Sequence, residues 1–440
     1  MQLHSTRNKD HTSTWRDAVL TGLAPDGGLY VPSTLPIVSS SERTQLATKT
    51  FPQLAEYLAA LFMQDEIGAD TLHSLCAGTW DFPLPLTQLD DNTFVLELFH
   101  GPTCAFKDFG ARFMARLFRH FWGDNHTALT VLVATSGDTG SAVANAFFDT
   151  SPNPRIRVAI LYPRDKVSEV QRRQMTTLGH NVTAYEVAGS FDDCQALVKR
   201  ALQDKQLLAT RSLTSANSIN IARLLPQMFY YAFASLQFPA STPPVFIVPS
   251  GNLGNLTGAL MAHLCGFSAT QLIAACNANS TFPDYLRTGT FSPLPSKETI
   301  SNAMDVGAPS NFYRINALLG ASDESQILSA ASLATLGIAG YSISDGETRR
   351  AMRDYHKLYG YCLDPHTAVG AAALQQHSVS HKVTAPRVLV ATAHPAKFSA
   401  TVEDTLGYRP TPPPQLAAVL AKPEQITPLA NNYDDFVRVI

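Results

Sequence analysis

The chain has 440 residues, a length that favours two or three domains. Hydrophobic residues make up 45% of it and charged residues 16%, which excludes a largely disordered protein. The formal net charge is -3 and no segment is strongly basic, so we expect no nucleic-acid partner, although local Arg and Lys side chains could bind a small anion.

Cysteine usage and the apolar segments indicate a cytoplasmic protein. The six cysteines are scattered through apolar segments without the spacing of metal ligands: Cys76, Cys104, Cys194, Cys265, Cys276 and Cys362. This pattern favours reduced, buried thiols and no metal site. The N-terminal stretch lacks an apolar run of signal-peptide length, and the longest apolar stretch, 224–238, is too short to cross a bilayer. We therefore expect a cytoplasmic location and no membrane partner.

Residues 1–92 differ in pattern from the rest of the chain. A turn rich in Pro and Gly at 25–28 leads into a short extended piece, and apolar residues at helical spacing predict a helix over 53–63. Pro83 and Pro85 then interrupt the chain before a strand predicted at 93–96. These features favour an N-terminal module ahead of the main fold.

Lys107 lies where a loop is predicted to enter a helix. The stretch 100–117 reads HGPTCAFKDFGARFMARL, and from Phe109 onward apolar residues recur three and four apart, as in a helix with one buried face. Phe106 and Phe109 place an apolar wall beside the amine. Such a lysine is either a surface residue with a buried stem or a desolvated amine kept for chemistry. The stretch alone leaves both interpretations open.

Strands and helices alternate in the next part of the chain. Short apolar runs predict strands at 129–134, 156–162 and 182–187, and helical patterns follow them at 141–148, 167–178 and 191–203. Strand–helix units in succession are typical of a parallel sheet covered by helices on both faces.

A second series of units follows a long helical pattern at 217–236 and a Pro-containing connector at 240–244. Its predicted strands are 245–248, 272–276 and 387–391, and its predicted helices are 255–265, 326–336, 346–358 and 367–376. Residues 281–312 are rich in Pro, Ser and Asn and are predicted to be irregular, either as a lid or as a static connector.

The predicted fold is α/β, with two lobes of mainly parallel, twisted sheets covered by helices, a cofactor cleft between them, and the N-terminal module. We expect the module at 1–92, a smaller lobe at 93–215 and a larger lobe at 216–440. Ligands of such sheets bind at the carboxyl ends of strands, so the loops that follow strands are the candidate sites.

Three of these positions carry small polar residues. Residues 251–255 (GNLGN) offer backbone N–H groups at a helix start, which suits a phosphate, but an ordinary strand-to-helix turn also explains them. Residues 135–140 (TSGDTG) suit a carboxylate or a phosphate, although helix capping would need one of them. Thr392 directly follows a strand, where a hydroxyl is more often a cap than a ligand.

Together with a desolvated lysine, these loops predict a pyridoxal phosphate site. The cofactor needs an amine for covalent attachment, a cradle for its phosphate and a partner for its ring nitrogen. An amine in an apolar pocket has a lowered pKa, so it can serve as nucleophile and as proton carrier.

Seven segments occur in order along nearly the whole chain: PDGGLYVP, FHGPTCAFKDFGARF, ATSGDTGSA, NSINIARLLPQ, SGNLGNLTG, SNAMDVGAPSN and TAHPAKF. In them the chain resembles the threonine synthases of bacteria and fungi, fold-type II pyridoxal phosphate enzymes related to the tryptophan synthase β chain. FKDFG and SNAMDVGAPSN separate this family from the related dehydratases and cysteine synthases.

The resemblance implies cofactor-binding roles. Lys107 matches the lysine that attaches the cofactor, and Thr392 matches the hydroxyl that faces the pyridine nitrogen. Asp138 stands near the ring hydroxyl, where more distant relatives carry Asn. The implied phosphate loop consists of Gly251, Asn252, Leu253, Gly254 and Asn255. Many relatives have Phe at the position of Leu253, a difference expected to matter little because backbone N–H groups bind the phosphate.

The resemblance also implies substrate-binding roles. Ser136, Gly137 and Thr139 match the loop expected to take the substrate carboxylate. The candidates for the substrate phosphate are Lys166, Ser168, Asn217, Ser218, Asn220 and Arg223. An ordinary surface charge or a helix cap is the alternative explanation for each of these six. His100 and His394 are expected to be supporting or capping residues rather than acid–base groups.

The implied reaction converts O-phospho-L-homoserine and water into L-threonine and phosphate, the last step of threonine biosynthesis. Lys107 would remove the Cα proton while the cofactor ring takes up electrons, and phosphate would leave in a β,γ-elimination before water adds. The alternatives are a serine/threonine dehydratase-like enzyme and an inactive relative that binds pyridoxal phosphate. We expect a monomer or a homodimer.

Overall fold

The structure, a computed structural model, describes residues 1–123, 125 and 127–440. Its strands are β1 (Leu3–Ser5), β2 (Thr12–Ser13), β3 (Tyr30–Pro32), β4 (Leu86–Gln88), β5 (Thr93–Glu97), β6 (Leu129–Ala134), β7 (Ile156–Pro163), β8 (Val182–Val187), β9 (Ser212–Ser215), β10 (Val245–Pro249), β11 (Gln271–Cys276), β12 (Ile338–Ser342), β13 (Arg387–Ala391) and β14 (Thr427–Leu429). 

Its helices are α1 (Trp15–Thr21), α2 (Ser40–Leu46), α3 (Phe51–Met63), α4 (Ala69–Ala77), α5 (Lys107–Trp122), α6 (Asp138–Phe147), α7 (Glu169–Thr176), α8 (Phe191–Gln203), α9 (Lys205–Leu208), α10 (Ile221–Ser235), α11 (Gly254–Leu264), α12 (Thr281–Thr288), α13 (Asn311–Leu318), α14 (Ala330–Thr335), α15 (Asp345–Tyr359), α16 (Pro365–Ser380), α17 (Ser399–Leu406), α18 (Pro414–Leu420) and α19 (Tyr433–Val439). Short 3-10 turns lie at Asn302–Met304 and Pro395–Phe398. In the described part of the chain, no helix has the length and apolar character needed to cross a membrane.

The strands form three sheets. A small antiparallel sheet in the N-terminal module has the order β2-β1-β3. The larger sheet has the order β12-β11-β10-β13-β5-β4 and is parallel except for β4, which runs antiparallel to β5. The smaller sheet, β14-β8-β7-β6-β9, is parallel throughout. The predicted α/β fold with mainly parallel sheets and an N-terminal module is confirmed.

Helix α5 begins at Lys107, as its apolar pattern predicts, and packs against α6 and α10. Phe109 and Phe113 are fully buried on its inner face. The ring of Phe109 makes edge-to-face contacts with Phe51, at 5.4 Å between centroids, and with Tyr230, at 5.3 Å. The ring of Phe109 is therefore packed between α3 and α10, which fixes the first turn of α5 against the core.

The N-terminal module shares the main hydrophobic core. Trp15 and Leu54 are fully buried in the same cluster as residues of α5 and α10. The buried Arg314 of α13 donates from Nε to the backbone oxygen of Tyr30, at 3.0 Å. The module is thus packed into the fold rather than tethered to it.

Two strands depart from the predicted lobe boundaries. β5, placed in the smaller lobe (93–215) from the sequence, pairs with β13 in the larger sheet. Residues 427–429, placed in the larger lobe (216–440) and not predicted as a strand, form β14 and pair with β8 in the smaller sheet. Strand pairing joins residues that are distant in sequence, so the alternation of elements predicts that strands exist but not which sheet they join.

Two local predictions were wrong. Residues 281–312 are not irregular throughout, because they contain α12, a 3-10 turn and the start of α13. Pro283 lies in the first turn of α12, where proline is tolerated, so it does not break the helix. The helix predicted at 326–336 is reduced to α14, which begins after its N-cap, Ser329.

Candidate active site

A cavity of about 420 Å³ lies where the carboxyl ends of β6, β9, β10 and β13 meet. Its wall includes Ala134 and Ser215 from the smaller sheet and Pro249 and Thr392 from the larger sheet. The cavity is therefore where a fold of this class is expected to bind a small ligand.

Lys107 lines this cavity as the first residue of α5. Its Nζ lies 5.8 Å from the centroid of the Phe106 ring. Burial lowers the pKa of the amine to about 8; Asp138 opposes this shift, whereas Arg223 and Lys397 reinforce it. Near neutral pH a useful fraction of the amine is therefore uncharged and nucleophilic.

Asp108 braces the turn that precedes Lys107. Its carboxylate accepts hydrogen bonds from the backbone N–H of Thr103, at 2.9 Å, and from the Thr103 hydroxyl, at 2.6 Å. Burial raises the pKa of Asp108 to about 6, and these hydrogen bonds oppose the rise. A Cβ on Gly101 would come within 2.5 Å of the carboxylate, so this close approach requires glycine.

The same turn is bonded to the end of β13. The N–H of Phe106 donates to the backbone oxygen of Thr392, at 2.8 Å, and the N–H of His394 donates to that of Cys104, at 3.0 Å. Lys107 and Thr392 are thereby held as one unit on the larger sheet.

The loop 251–255 forms a cradle at the N-terminus of α11. Leu253 adopts a left-handed conformation, with φ 60°, which turns successive N–H groups toward one point. Asn252 pins the loop, because its Oδ1 accepts from the N–H of Ser310 and its Nδ2 donates to Oγ of Ser218, each at 2.6 Å. The loop is therefore shaped before any ligand arrives.

Two buried donors in the cavity wall have no partner among the residues that the structure describes. Asn255 accepts on Oδ1 from the hydroxyls of Tyr230 (2.6 Å) and Tyr231 (2.8 Å), and its Nδ2 is left unpaired. Arg223 donates from Nη1 to the backbone oxygen of Ala216, at 2.6 Å, and its Nε is unpaired. Unpaired buried donors are costly, so the site fits an anionic ligand such as the phosphate of pyridoxal phosphate.

The loop 135–140 places some of its residues in the cavity and others behind it. Ser136, Asp138 and Thr139 line the cavity. Thr135 caps the following helix turn by accepting the N–H groups of Gly137 and Gly140, each at 2.9 Å. Because Thr135 alone makes these capping bonds, the hydroxyls of Ser136 and Thr139 are left available to a ligand.

Asp138 is almost fully buried and paired with a second buried lysine. Its Oδ1 lies 2.8 Å from Nζ of Lys397 and accepts from Nε2 of Gln171, at 2.9 Å. Burial alone would raise the pKa of this carboxyl, but Lys397 and Lys107 hold it well below its usual range. Asp138 therefore carries a charge inside the site at neutral pH.

Four predicted substrate residues lie outside the cavity wall. Lys166 is exposed and forms an ion pair with Glu298, at 2.7 Å. Ser168 caps α7 and Asn220 caps α10, so their side chains are engaged in the helix ends. Gly137, with φ 135°, faces the side chain of Gln171. The structure does bring the predicted substrate residues Asn217, Ser218 and Arg223 to the cavity. The predicted cofactor loop also lines it, through Gly251, Asn252, Leu253, Gly254 and Asn255.

Sequence reasoning missed His366, which lines the cavity from α16. The N–H of Ala303 donates to its Nε2, at 3.1 Å, so the ring proton is assigned to Nδ1, which donates to Asp364, at 2.9 Å. This bond holds the 3-10 turn Asn302–Met304 beside the cavity. No distinctive motif marks this histidine in the sequence.

Lys397, Gln171, Tyr230 and Tyr231 were also missed as supporting residues. A signal existed for Lys397, because it lies between apolar residues in the segment TAHPAKF. His394 caps the 3-10 turn Pro395–Phe398 by accepting the N–H of Ala396, in agreement with its expected capping role. In the described part of the chain, no group of three or more His, Cys, Asp or Glu residues could hold a metal ion.

Comparison with protein families identifies three segments. Residues 82–392 match the family described as "Pyridoxal-phosphate dependent enzyme". Residues 2–80 match "Threonine synthase N terminus", and residues 367–440 match "Threonine synthase, C-terminal". The first match contains both Lys107 and loop 251–255.

Several curated relatives are similar over nearly their full length. The threonine synthase of Escherichia coli is 40% identical over 95% of this chain and 94% of its own. The threonine synthase of Pseudomonas aeruginosa is 34% identical over 98% and 96%, respectively.

Solved structures of threonine synthases are also similar to this chain. The crystal structure of Escherichia coli threonine synthase matches with a TM-score of 0.91, 37% identity and coverage of 100% of this chain and 99% of that one. The threonine synthase of Brucella melitensis, solved with bound pyridoxal phosphate, matches with a TM-score of 0.89 and 34% identity, and the match covers 100% of this chain and 98% of that one. A fungal L-serine ammonia-lyase from Rhizomucor miehei, at 13% identity and a TM-score of 0.53, covers 74% of this chain and 98% of its own and shares only the fold.

Proposed function

Since the chain belongs to the threonine synthase family, we propose that it eliminates phosphate from O-phospho-L-homoserine and adds water to give L-threonine. It would then be a phosphate-releasing carbon–oxygen lyase. The observation that carries the proposal is the position of Lys107, an amine of lowered pKa in a cavity whose wall also includes Asn255 and Arg223, each with a buried donor that has no partner among the described residues.

Pyridoxal phosphate, the cofactor of this family, supplies an electron sink for carbanion chemistry when bound. The N–H groups of loop 251–255 and Nδ2 of Asn255 would bind its phosphate. The hydroxyl of Thr392 would face its ring nitrogen and, unlike a carboxylate, would leave that nitrogen largely unprotonated.

The amine of Lys107 is suited to carry protons. With a pKa of about 8, Nζ can accept the Cα proton of the substrate and can also return a proton, because both protonation states are populated near neutral pH. The backbone hydrogen bonds between its turn and the end of β13 fix the point from which the side chain of Lys107 extends into the cavity.

The two anionic groups of the substrate have separate candidate sites. Ser136 and Thr139 offer hydroxyls for the carboxylate at the start of α6. Arg223 offers a buried cation with an unpaired Nε for the phosphate, with Ser218 nearby in the wall. Asn217 is less suited, because its side-chain amide already bonds the backbone of Ala134 through both Oδ1 and Nδ2.

Bulk water must be kept from the reacting atoms until the addition step. The 3-10 turn Asn302–Met304 borders the cavity and is held by the bond from Ala303 to His366. Asp305 braces the same segment by accepting from the N–H and the hydroxyl of Thr299, at 3.0 and 2.7 Å. These contacts make the segment a fixed wall that limits solvent access.

The decisive experiment measures phosphate release from O-phospho-L-homoserine together with threonine formation. Equal yields of phosphate and threonine are expected. Release of oxobutyrate from threonine or of pyruvate from serine, without phosphate release from O-phospho-L-homoserine, would assign the chain to dehydratase-type chemistry instead.

A second measurement tests the site itself. The purified protein with added pyridoxal phosphate should show visible absorbance, and borohydride should fix the cofactor on Lys107. Lys107→Ala should abolish turnover while the fold survives. A protein that stays colourless with added cofactor would overturn the assignment of the site, whereas a coloured protein without turnover would be the inactive relative. A cytoplasmic location and a monomeric or homodimeric state stay predictions.

A further inference from the structure

Lys397 is a second lysine of the site, and its side chain is fully buried. Its Nζ lies 2.8 Å from Oδ1 of Asp138 and donates to the backbone oxygen of Thr103, at 2.9 Å. It lies behind Asp138 rather than in the cavity wall. A fully buried lysine needs compensation for its charge, and Asp138 supplies it.

The contacts of Lys397 join three separate parts of the site. Thr103 belongs to the turn that presents Lys107, and Asp138 begins α6 of the smaller lobe. Lys397 itself lies in the 3-10 turn Pro395–Phe398, close after β13 of the larger sheet, and its backbone oxygen accepts from the hydroxyl of Ser168, at 3.0 Å. A single side chain thus connects the two lobes next to the reactive amine.

The pairing also sets the charge that Lys107 experiences. An unpaired Asp138 carboxylate would favour the protonated amine, whereas an Asp138–Lys397 pair has no net charge. The pKa of Lys107 reflects this balance, since Asp138 raises it and Lys397 lowers it. Arg223 of α10 also faces Lys107.

Two further titratable groups border the pair. His366 of α16 faces Asp138, and Asp108 of α5 interacts with Lys397. Neither group is replaced in the variants considered below. Lys397→Met should raise the pKa of Asp108 further, because Lys397 lowers it. The charges that shift the pKa of Lys107 are those of Asp138, Arg223 and Lys397, so the comparison follows the Asp138–Lys397 pair.

We propose that Lys397 is a positioning residue of this site: it neutralises Asp138 and holds the start of α6 against the turn that presents Lys107. The inference rests on the proposed function only in taking Lys107 as the amine that attaches the cofactor. Lys397 acts through Asp138 and does not itself contact the reacting atoms.

The test is a pH titration of the visible absorbance of the holoenzyme, without substrate. In Lys397→Met the carboxylate is left uncompensated, so the titration midpoint should rise by about one pH unit. In Asp138→Asn the cation is left uncompensated, so the midpoint should fall by about the same amount. The double variant Lys397→Met/Asp138→Asn removes both charges and should return close to the wild-type midpoint.

Opposite shifts that cancel in the double variant support the proposal. Shifts of the same sign, or a double variant that keeps the full shift of Lys397→Met, overturn it. The control Arg409→Met removes an exposed ion pair with Glu403 and should leave the midpoint unchanged.

If Lys397→Met fails to fold or to hold cofactor, the double variant decides. Recovery of folding and cofactor binding on adding Asp138→Asn supports charge compensation, and continued failure overturns it in favour of a purely packing role. Failure of the proposed function would appear elsewhere, as a wild-type enzyme that releases no phosphate, because the titration requires only bound cofactor.

Discussion

Lys107 and Lys397 show how partners decide what a buried lysine can do. Lys397 is locked by an ion pair with Asp138. Among the residues that the structure describes, no carboxylate lies within ion-pair distance of Lys107, so burial is the larger influence on its amine. Lys397 is therefore structural and Lys107 is left reactive, although both lie close to the same cavity.

The lowered pKa of Lys107 predicts how cofactor attachment depends on pH. The free amine is the nucleophile, and its pKa falls from 10.5 to about 8. The attachment rate of added pyridoxal phosphate should therefore rise about tenfold per pH unit below about 8 and level off above it. The appearance of visible absorbance in cofactor-free protein measures this rate.

Lys107→Ala is the control for this measurement and should show no attachment phase. A rate that keeps rising to about pH 10 would mean that the amine is not desolvated in solution, and it would contradict the cavity geometry.

The backbone conformation of Gly137 predicts that a side chain at this position lowers the stability of the protein. Its φ of 135° is strained for any residue with a side chain, and a Cβ there would run into the side chain of Gln171. Gly137→Ala should lower the free energy of unfolding by about 1–3 kcal/mol, as measured by urea denaturation. Gly346→Ala is the matched control, because Gly346 lies in α15 and the nearest atom to a new Cβ is 4.0 Å away. Equal stability of the two variants would argue against a tight loop at 137.

At the scale of elements, the start of α11 combines a helix N-terminus, the left-handed Leu253 and the unpaired amide of Asn255. Each of these features favours a bound anion, and they converge because the strand β10 and the helix are joined by so short a loop. The Tyr230 and Tyr231 hydroxyls keep the amide nitrogen of Asn255 free for the ligand.

Asn255→Asp tests this arrangement. The variant keeps an oxygen for the two tyrosines but replaces the unpaired donor by a negative charge, so pyridoxal phosphate should bind at least about tenfold more weakly. The dissociation constant can be measured by titrating the cofactor-free protein. Asn92→Asp makes the same charge change at an exposed position and should leave the affinity unaltered. Unchanged affinity in both variants would exclude Asn255 from phosphate binding.

The segment that carries β14 and α19 completes the smaller lobe. Leu429, Tyr433 and Phe436 pack into the same apolar cluster as Leu197 and Val198 of α8. β14 also covers the edge of β8. An element far away in sequence therefore supplies part of the core of this lobe.

Phe436→Ala should destabilise the protein by about 3–5 kcal/mol, because the side chain is fully buried in that cluster. Val439→Ala, in the same helix but 46% exposed, is the control and should cost little. Denaturant unfolding of the two variants measures the difference, and a small effect of Phe436→Ala would mean that α19 docks only loosely.

At the scale of the whole molecule, the sequence predicted features that depend on local pattern. The start of α5 at Lys107 and the polar loops after β6 and β10 follow from apolar periodicity and from the placement of Gly, Ser, Thr and Asn. The positions of β5 and β14 could not be predicted in this way, because pairing depends on contacts between distant segments.

The candidate site shows the same division. The motif NSINIAR contains Asn217, Ser218 and Arg223, which reach the cavity, and Asn220, which turns away to cap α10. All four residues lie in the same short motif, so the sequence alone does not distinguish a ligand-binding residue from a cap. Only the direction of each side chain in the structure does. Lys397 was missed for a related reason, since its partner Asp138 is far away in sequence.

The pairing of β14 with β8 also has a consequence for the order of events during synthesis. Residues 129–215 leave the ribosome well before residues 427–439, so the nascent chain exposes the open edge of β8 and the apolar face of α8 until translation reaches that late segment. An uncovered strand edge next to an apolar surface is prone to pair with neighbouring nascent chains. The smaller lobe, which provides one wall of the cavity, is therefore expected to need protection by chaperones until its last strand and helix have been made.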